Sequence, residues 1–163
     1  MTVLLTCAGR RTSLLGFFQA AVSPQDGRVL AADVDPLAPT MLQADAAVEV
    51  PPVDDDAYPQ ALLTTVRAHS VDLVVPTIDP ELPVLCEMRE ALADAGARAV
   101  VSERKLLDVT ADKWRTVTHF AEAGFRTPPT WRWDEIGASQ VEALLPDPVF
   151  VKPRRGSSST GAR

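Results

Sequence analysis

The residues with the clearest chemical potential lie near the C-terminus. There "FVKPRRGSSSTG" ends an apolar run at Lys152 and follows it with Gly156, Ser157, Ser158, Ser159, Thr160 and Gly161. Backbone N–H groups and hydroxyls of such a loop can wrap phosphate oxygens, and a lysine supplies a point charge to the same group. The order reverses that of a P-loop, since the lysine precedes the glycines. Composition alone favours a disordered Gly/Ser linker. The strand-like "VFVKP" ahead of it favours a phosphate loop.

Three other clusters carry charge. "CAGRRT" places Gly9, Arg10 and Arg11 ahead of a helical pattern. A helix N-terminus attracts anions, and two guanidinium groups there suit a carboxylate or phosphate. The competing reading is solvated arginines paired with nearby aspartates. "ADVDPLAP" puts Asp33 and Asp35 at the end of a strand, where turn chemistry is the alternative to ligand binding. "PTIDPEL" puts Asp79 and Glu81 after another strand, able to grip an amine or hydroxyl or simply to face a helix dipole. A dinucleotide fingerprint needs glycine at the places held by Cys7 and Thr12, so nicotinamide or flavin binding is disfavoured.

His69 and His119 have no partnered spacing and read as structural. Cys7 and Cys86 lack metal or redox spacing and read as free, buried thiols. Phe17, Phe18, Trp114 and Phe120 read as core. The formal net charge of -6 argues against a general nucleic-acid binder. Neither a membrane span nor a signal peptide is evident, so a cytoplasmic protein is expected.

The elements that must position these residues alternate. Strands are expected at "TVLL", "RVLAAD", "AAVEV", "VDLVVPT" and "ARAVV". Helices are expected at "TSLLGFFQAA", "AYPQALLTTVRAH" and "ELPVLCEMREALADAG", the first capped by Thr12 or Ser13 and the last closed by Gly96. Alternation implies an α/β, doubly wound parallel sheet, Rossmann-like, with ligands at the carboxyl ends of its strands. A second unit is expected from Ser102. It holds two helical stretches in "SERKLLDVTADKWRTVTHFAEAGF", a short helix in "DEIGASQVEALL" and a strand in "DPVFVKP".

Together these segments resemble the ATP-grasp superfamily. "FVKPRRGSSSTG" is similar to its strand lysine and glycine-rich loop, and "DKWRTVTHFAEAGFRTPPT" is similar to the opening of the ATP-grasp fold. "CAGRR", "AADVDPLAPTMLQAD" and "VVPTIDPEL" resemble the pre-ATP-grasp domain of carbamoyl-phosphate-synthase-like members. The resemblance implies a pre-ATP-grasp domain at 1–101 and a partial ATP-grasp subdomain at 102–163. It implies that Lys113, Lys152 and the loop from Gly156 to Gly161 contact ATP. It also places Gly9, Arg10, Arg11, Asp33, Asp35, Asp79 and Glu81 at the acceptor-substrate site. The implied reaction is ATP-dependent carboxylate–amine ligation through an acyl phosphate, with Mg²⁺ screening the phosphoryl charge.

The family's metal ligands and most of its catalytic half follow the glycine-rich loop. The chain is therefore expected to resemble a front half that is inactive by itself and holds no metal ligand. The substrate is expected to be a small carboxylate or amine, and an exposed apolar last strand predicts a homodimer. The rival reading is a non-catalytic module sensing a small anionic metabolite.

Overall fold

A computed structural model describes residues 1–144 and 148–156 of the chain. The chain divides into two compact units, Met1–Glu103 and Arg104–Arg163.

The first unit is a five-stranded, all-parallel sheet. Its strands are β1 (Thr2–Thr6), β2 (Arg28–Asp33), β3 (Ala46–Glu49), β4 (Leu73–Pro76) and β5 (Arg98–Ala99), in the order β3-β2-β1-β4-β5. Five helices connect them: α1 (Thr12–Val22), α2 (Pro39–Gln43), α3 (Tyr58–His69), α4 (Leu82–Glu87) and α5 (Arg89–Asp94). The period-2 alternation of the strands sorts side chains onto two faces. Val3, Leu5, Val29 and Ala31 pack with Leu15, Val22 and Met41 of the first two helices. Leu4, Leu30, Ala32 and Val74 pack with Tyr58, Leu62, Val66, Leu85 and Leu92 on the other face. Both faces of β1 are therefore buried, which is why its sequence is an unbroken apolar run.

The expected α/β doubly wound sheet is present, with local differences. The helix expected across 81–96 is two helices that meet at Met88, whose backbone sits at φ -83 and ψ -2. Gly96 closes the pair at φ +95, as expected. Helix α1 begins at Thr12, so Arg11 holds the N-cap position and no side chain caps the helix. Helix α2 is not among the expected helices; it follows "ADVDPLAP", and Pro39 stands in its first turn, where proline's fixed φ suits it. Phe17 is not core but 73% exposed, because α1 turns Leu15 and Phe18 inward and leaves Phe17 outward. Phe120 is also exposed.

The second unit holds α6 (Arg104–Thr110), α7 (Lys113–Glu122) and α8 (Ala138–Leu144). The strand expected across 147–153 is not formed at 148–153, where Val149, Phe150 and Val151 are exposed. A strand needs a hydrogen-bonded neighbour, and the described residues of this unit supply none.

Candidate functional site

The sheet reverses its winding direction between β1 and β4. In open parallel sheets this is the crevice where ligands bind, at the carboxyl ends of the strands. Here the loops after β1 and β4 are tied together. The Thr77 hydroxyl lies 2.6 Å from the carbonyl oxygen of Cys7 and 2.9 Å from that of Thr6.

The loop after β1 turns through left-handed backbone at Cys7 (φ 49) and Gly9 (φ 53). Asp33 fixes this turn. Its Oδ2 accepts the Gly9 N–H at 2.8 Å, while its Oδ1 accepts the Asp35 N–H at 3.1 Å. Thr40 completes the frame, with its hydroxyl donating to the Gly9 carbonyl at 2.8 Å. Asp35 starts its own turn by accepting the Leu37 N–H at 2.9 Å.

These constraints bring Gly9, Arg10, Arg11, Asp33 and Asp35 around one open cleft of about 630 Å³, lined also by Ala38 and Pro39. Arg10, Arg11 and Asp35 are exposed, whereas Asp33 is 9% exposed and occupied with backbone. A second cleft of about 700 Å³ adjoins at Asp33 and is lined by Cys7, Val34, Val53, Asp54, Ile78 and Val84, among others. The sequence reading missed Asp54 and the apolar walls. Asp54 belongs to the acidic run at 54–56 and carries no motif of its own; only the packing of the loop after β3 brings it to the sheet edge.

Glu81 is in neither cleft. It is fully buried, with Oε1 accepting the Tyr58 hydroxyl at 2.6 Å and Oε2 without a hydrogen-bond partner. Burial pushes its carboxyl up from the ordinary range, opposed by the Thr6, Tyr58 and Cys7 side chains. Burial also pushes the Cys7 thiol up to about 12, helped by the neighbouring Glu81 carboxylate. Cys7 is therefore a poor nucleophile. Asp79 is exposed in the short 3₁₀ turn ahead of α4.

In the second unit, Asp112 caps α7 through Oδ1, which accepts the Trp114 and Arg115 N–H groups at 3.1 and 3.2 Å. The Lys113 ammonium donates to the Gly156 carbonyl at 2.8 Å, and Gly156 sits at φ +117. Lys152 is exposed. Ser157, Ser158, Ser159, Thr160 and Gly161 lie outside the described residues. Among the described residues no three His, Cys, Asp or Glu side chains gather as a metal site.

Comparison with known proteins decides the family. Residues 3–100 match the family of the PylC-like N-terminal domain. The chain belongs to the PylC-like family. No curated protein sequence matches it. The PylC-like chain is similar in structure to N5-carboxyaminoimidazole synthetase from Staphylococcus aureus complexed with ADP, at a TM-score of 0.66 and 17% identity over 99% of this chain and 40% of that one. It is similar to a biotin carboxylase–ATP-analogue complex from Campylobacter jejuni, at 0.65 and 16% over 99% and 37%. It is also similar to the biotin carboxylase domain dimer of 2-oxoglutarate carboxylase from Hydrogenobacter thermophilus with MgADP, ADP and bicarbonate, at 0.64 and 17% over 99% and 36%. The chain thus spans well under half the length of these proteins. It has the fold of the N-terminal part of ATP-grasp enzymes, pre-ATP-grasp domain first, as the sequence motifs led us to expect. No helix among the described residues is long and apolar enough to cross a membrane.

Proposed function

We propose that this chain is the N-terminal part of an ATP-dependent carboxylate–amine ligase that works through an acyl phosphate. In this reading the sheet edge holds a small acceptor substrate, and Lys113, Lys152 and the glycine-rich loop face the nucleotide. The observation that carries it is the pairing of exposed Arg10 and Arg11 with Asp35 around one cleft at the ends of β1 and β2. Opposite charges on one rim suit a small carboxylate-bearing molecule, gripped by the guanidinium groups in a planar fork.

The residues present also fit a phosphate group. Lys113 uses one N–H on the Gly156 carbonyl, and an ammonium has three donors. Bound ATP would supply the phosphoryl group that activates the carboxylate. The described residues do not fit Mg²⁺, since no three acidic, His or Cys side chains gather among them.

The test is a thermal-shift series on the 163-residue chain with ATP and with a panel of small carboxylates and amines. We expect carboxylate stabilisation to vanish in Arg10→Ala, and ATP stabilisation to vanish in Lys113→Ala. We expect no ATP-dependent ligation by the chain alone. Carboxylate binding through Arg10 without any effect of ATP would replace the ligase reading with a metabolite-binding module.

A further inference from the structure

A buried carboxylate in the second unit holds an arginine at the root of the glycine-rich loop. Asp112 is 1% exposed, and both its oxygens meet the Arg154 guanidinium, with Nε at 2.8 Å from each and a terminal nitrogen 2.7 Å from Oδ2. Arg154 is half-exposed and stands two residues before Gly156. Its carbonyl accepts the Lys113 N–H at 3.0 Å. That N–H is among the four at a helix start that have no partner within the helix. The Lys113 ammonium then reaches Gly156. One ion pair and two hydrogen bonds therefore join the root of the glycine-rich loop to the start of α7, through two consecutive residues, Asp112 and Lys113.

A simple helix cap does not need this. Capping uses Oδ1 alone, which accepts from Trp114 and Arg115. Arg154 meets both oxygens, its terminal nitrogen reaching Oδ2 alone, with Arg115 and Arg155 farther from Oδ2 at 3.9 and 3.8 Å. Three arginines thus surround one buried carboxylate, which neutralises the nearest of them. Without that carboxylate the Arg154 side chain would lose its hold on α7, and the loop root would keep only its two bonds from Lys113.

We propose that Asp112 is a positioning residue for the nucleotide: by clamping Arg154 it pins the loop root to α7, so that the Lys113 ammonium and the Gly156 turn face the same anion. This rests on the nucleotide reading of Lys113 above. Asp112 itself touches no phosphate; it acts through Arg154.

Two variants separate the clamp from the cap. Asp112→Asn keeps Oδ1 for the two capping N–H groups but puts an NH₂ donor against the guanidinium. Arg154→Lys leaves the cap untouched and removes the planar fork. On the 163-residue chain, ATP affinity is measured by calorimetry well below the unfolding midpoint, and exchange of the Lys113 amide is followed by NMR. We expect both variants to weaken ATP binding by about tenfold and to speed Lys113 exchange by about tenfold, the scale of one charge-assisted hydrogen bond. Weakening in Asp112→Asn alone would show that the effect does not run through Arg154 and would overturn the clamp. So would binding that is lost in Lys113→Ala yet unchanged in both clamp variants. If Lys113→Ala leaves ATP binding unchanged, or the chain binds no ATP, the nucleotide reading falls and this inference falls with it.

Discussion

Replacing Tyr58 by phenylalanine removes one oxygen from the interior of the first unit. The hydroxyl lies 2.6 Å from Glu81 Oε1, and both residues are fully buried. Oε2 already has no partner. The variant would therefore remove the Tyr58 bond to Oε1 and leave the Thr6 and Cys7 side chains as the polar neighbours of a buried carboxyl. Stranding a buried acceptor costs about 1–3 kcal/mol, more where it carries charge. For a unit of this size that lowers the midpoint by roughly 4–8 °C per kcal/mol.

The pH dependence gives the sharper test. Burial raises the Glu81 pKa, so the folded state holds its proton more tightly than the unfolded chain does. Stability from this group is fully present below the ordinary value of 4.5 and declines as pH rises from there toward the raised folded value. The Tyr58 hydroxyl opposes the rise, so Tyr58→Phe extends the decline to higher pH. Urea unfolding followed by circular dichroism at pH 4 to 8 should show a loss that grows with pH. It should shrink in a Glu81→Gln background, where nothing ionises. A loss under about 0.5 kcal/mol, below the usual worth of such a bond, would refute the reasoning, as would a loss independent of pH.

Cys7, with its thiol pushed up to about 12 from 9.0, should react with iodoacetamide at pH 8 some hundredfold or more slower than a free thiol, read by mass spectrometry of the modified peptide. Gly27→Ala would place a Cβ 2.6 Å from the Val22 Cβ and 2.7 Å from the Met1 carbonyl oxygen, so overpacking should cost about 1–3 kcal/mol in denaturant unfolding. Asp112 is held down to about 2 from 3.8, chiefly by Arg154. Its stabilisation is present above the ordinary value and lost as pH falls through the folded one, so the second unit should loosen between about pH 4 and 2. That window should disappear in Asp112→Asn, as judged by amide exchange.

The sheet could be read from the sequence because its strands are short apolar runs set between helical patterns, and that alternation leaves few topologies. Arg10, Arg11 and Asp35 could be located at a strand end for the same reason. Glu81 could not be understood that way. Its place in "DPEL" looks like any acidic first turn, and only α3 packing over the sheet shows that Tyr58 covers it. Arg154 was equally hidden, because its partner lies 42 residues earlier. The strand expected at 147–153 fails for a related reason: strand propensity acts only when a neighbour takes the hydrogen bonds, and propensity is all a single sequence window reports.

The charged residues at the sheet edge divide by burial into two kinds, and the division bears on function. Asp33 spends both oxygens on the backbone of two loops, and Glu81 sits below the edge against Tyr58. These two acids shape the loops. Arg10, Arg11, Asp35 and Asp79 are exposed above them. Each keeps polar atoms turned toward solvent, where a ligand can reach them. The same logic repeats in the second unit, where buried Asp112 holds Arg154 and leaves Lys113 a lysine with donors to spare. Buried carboxylates that spend their lone pairs on loop geometry let an acidic chain present cations at both places where the proposed ligase needs an anion. The net charge of the whole chain then says little about either site, because the acids are largely structural or solvated and the cations stand at the loop tips.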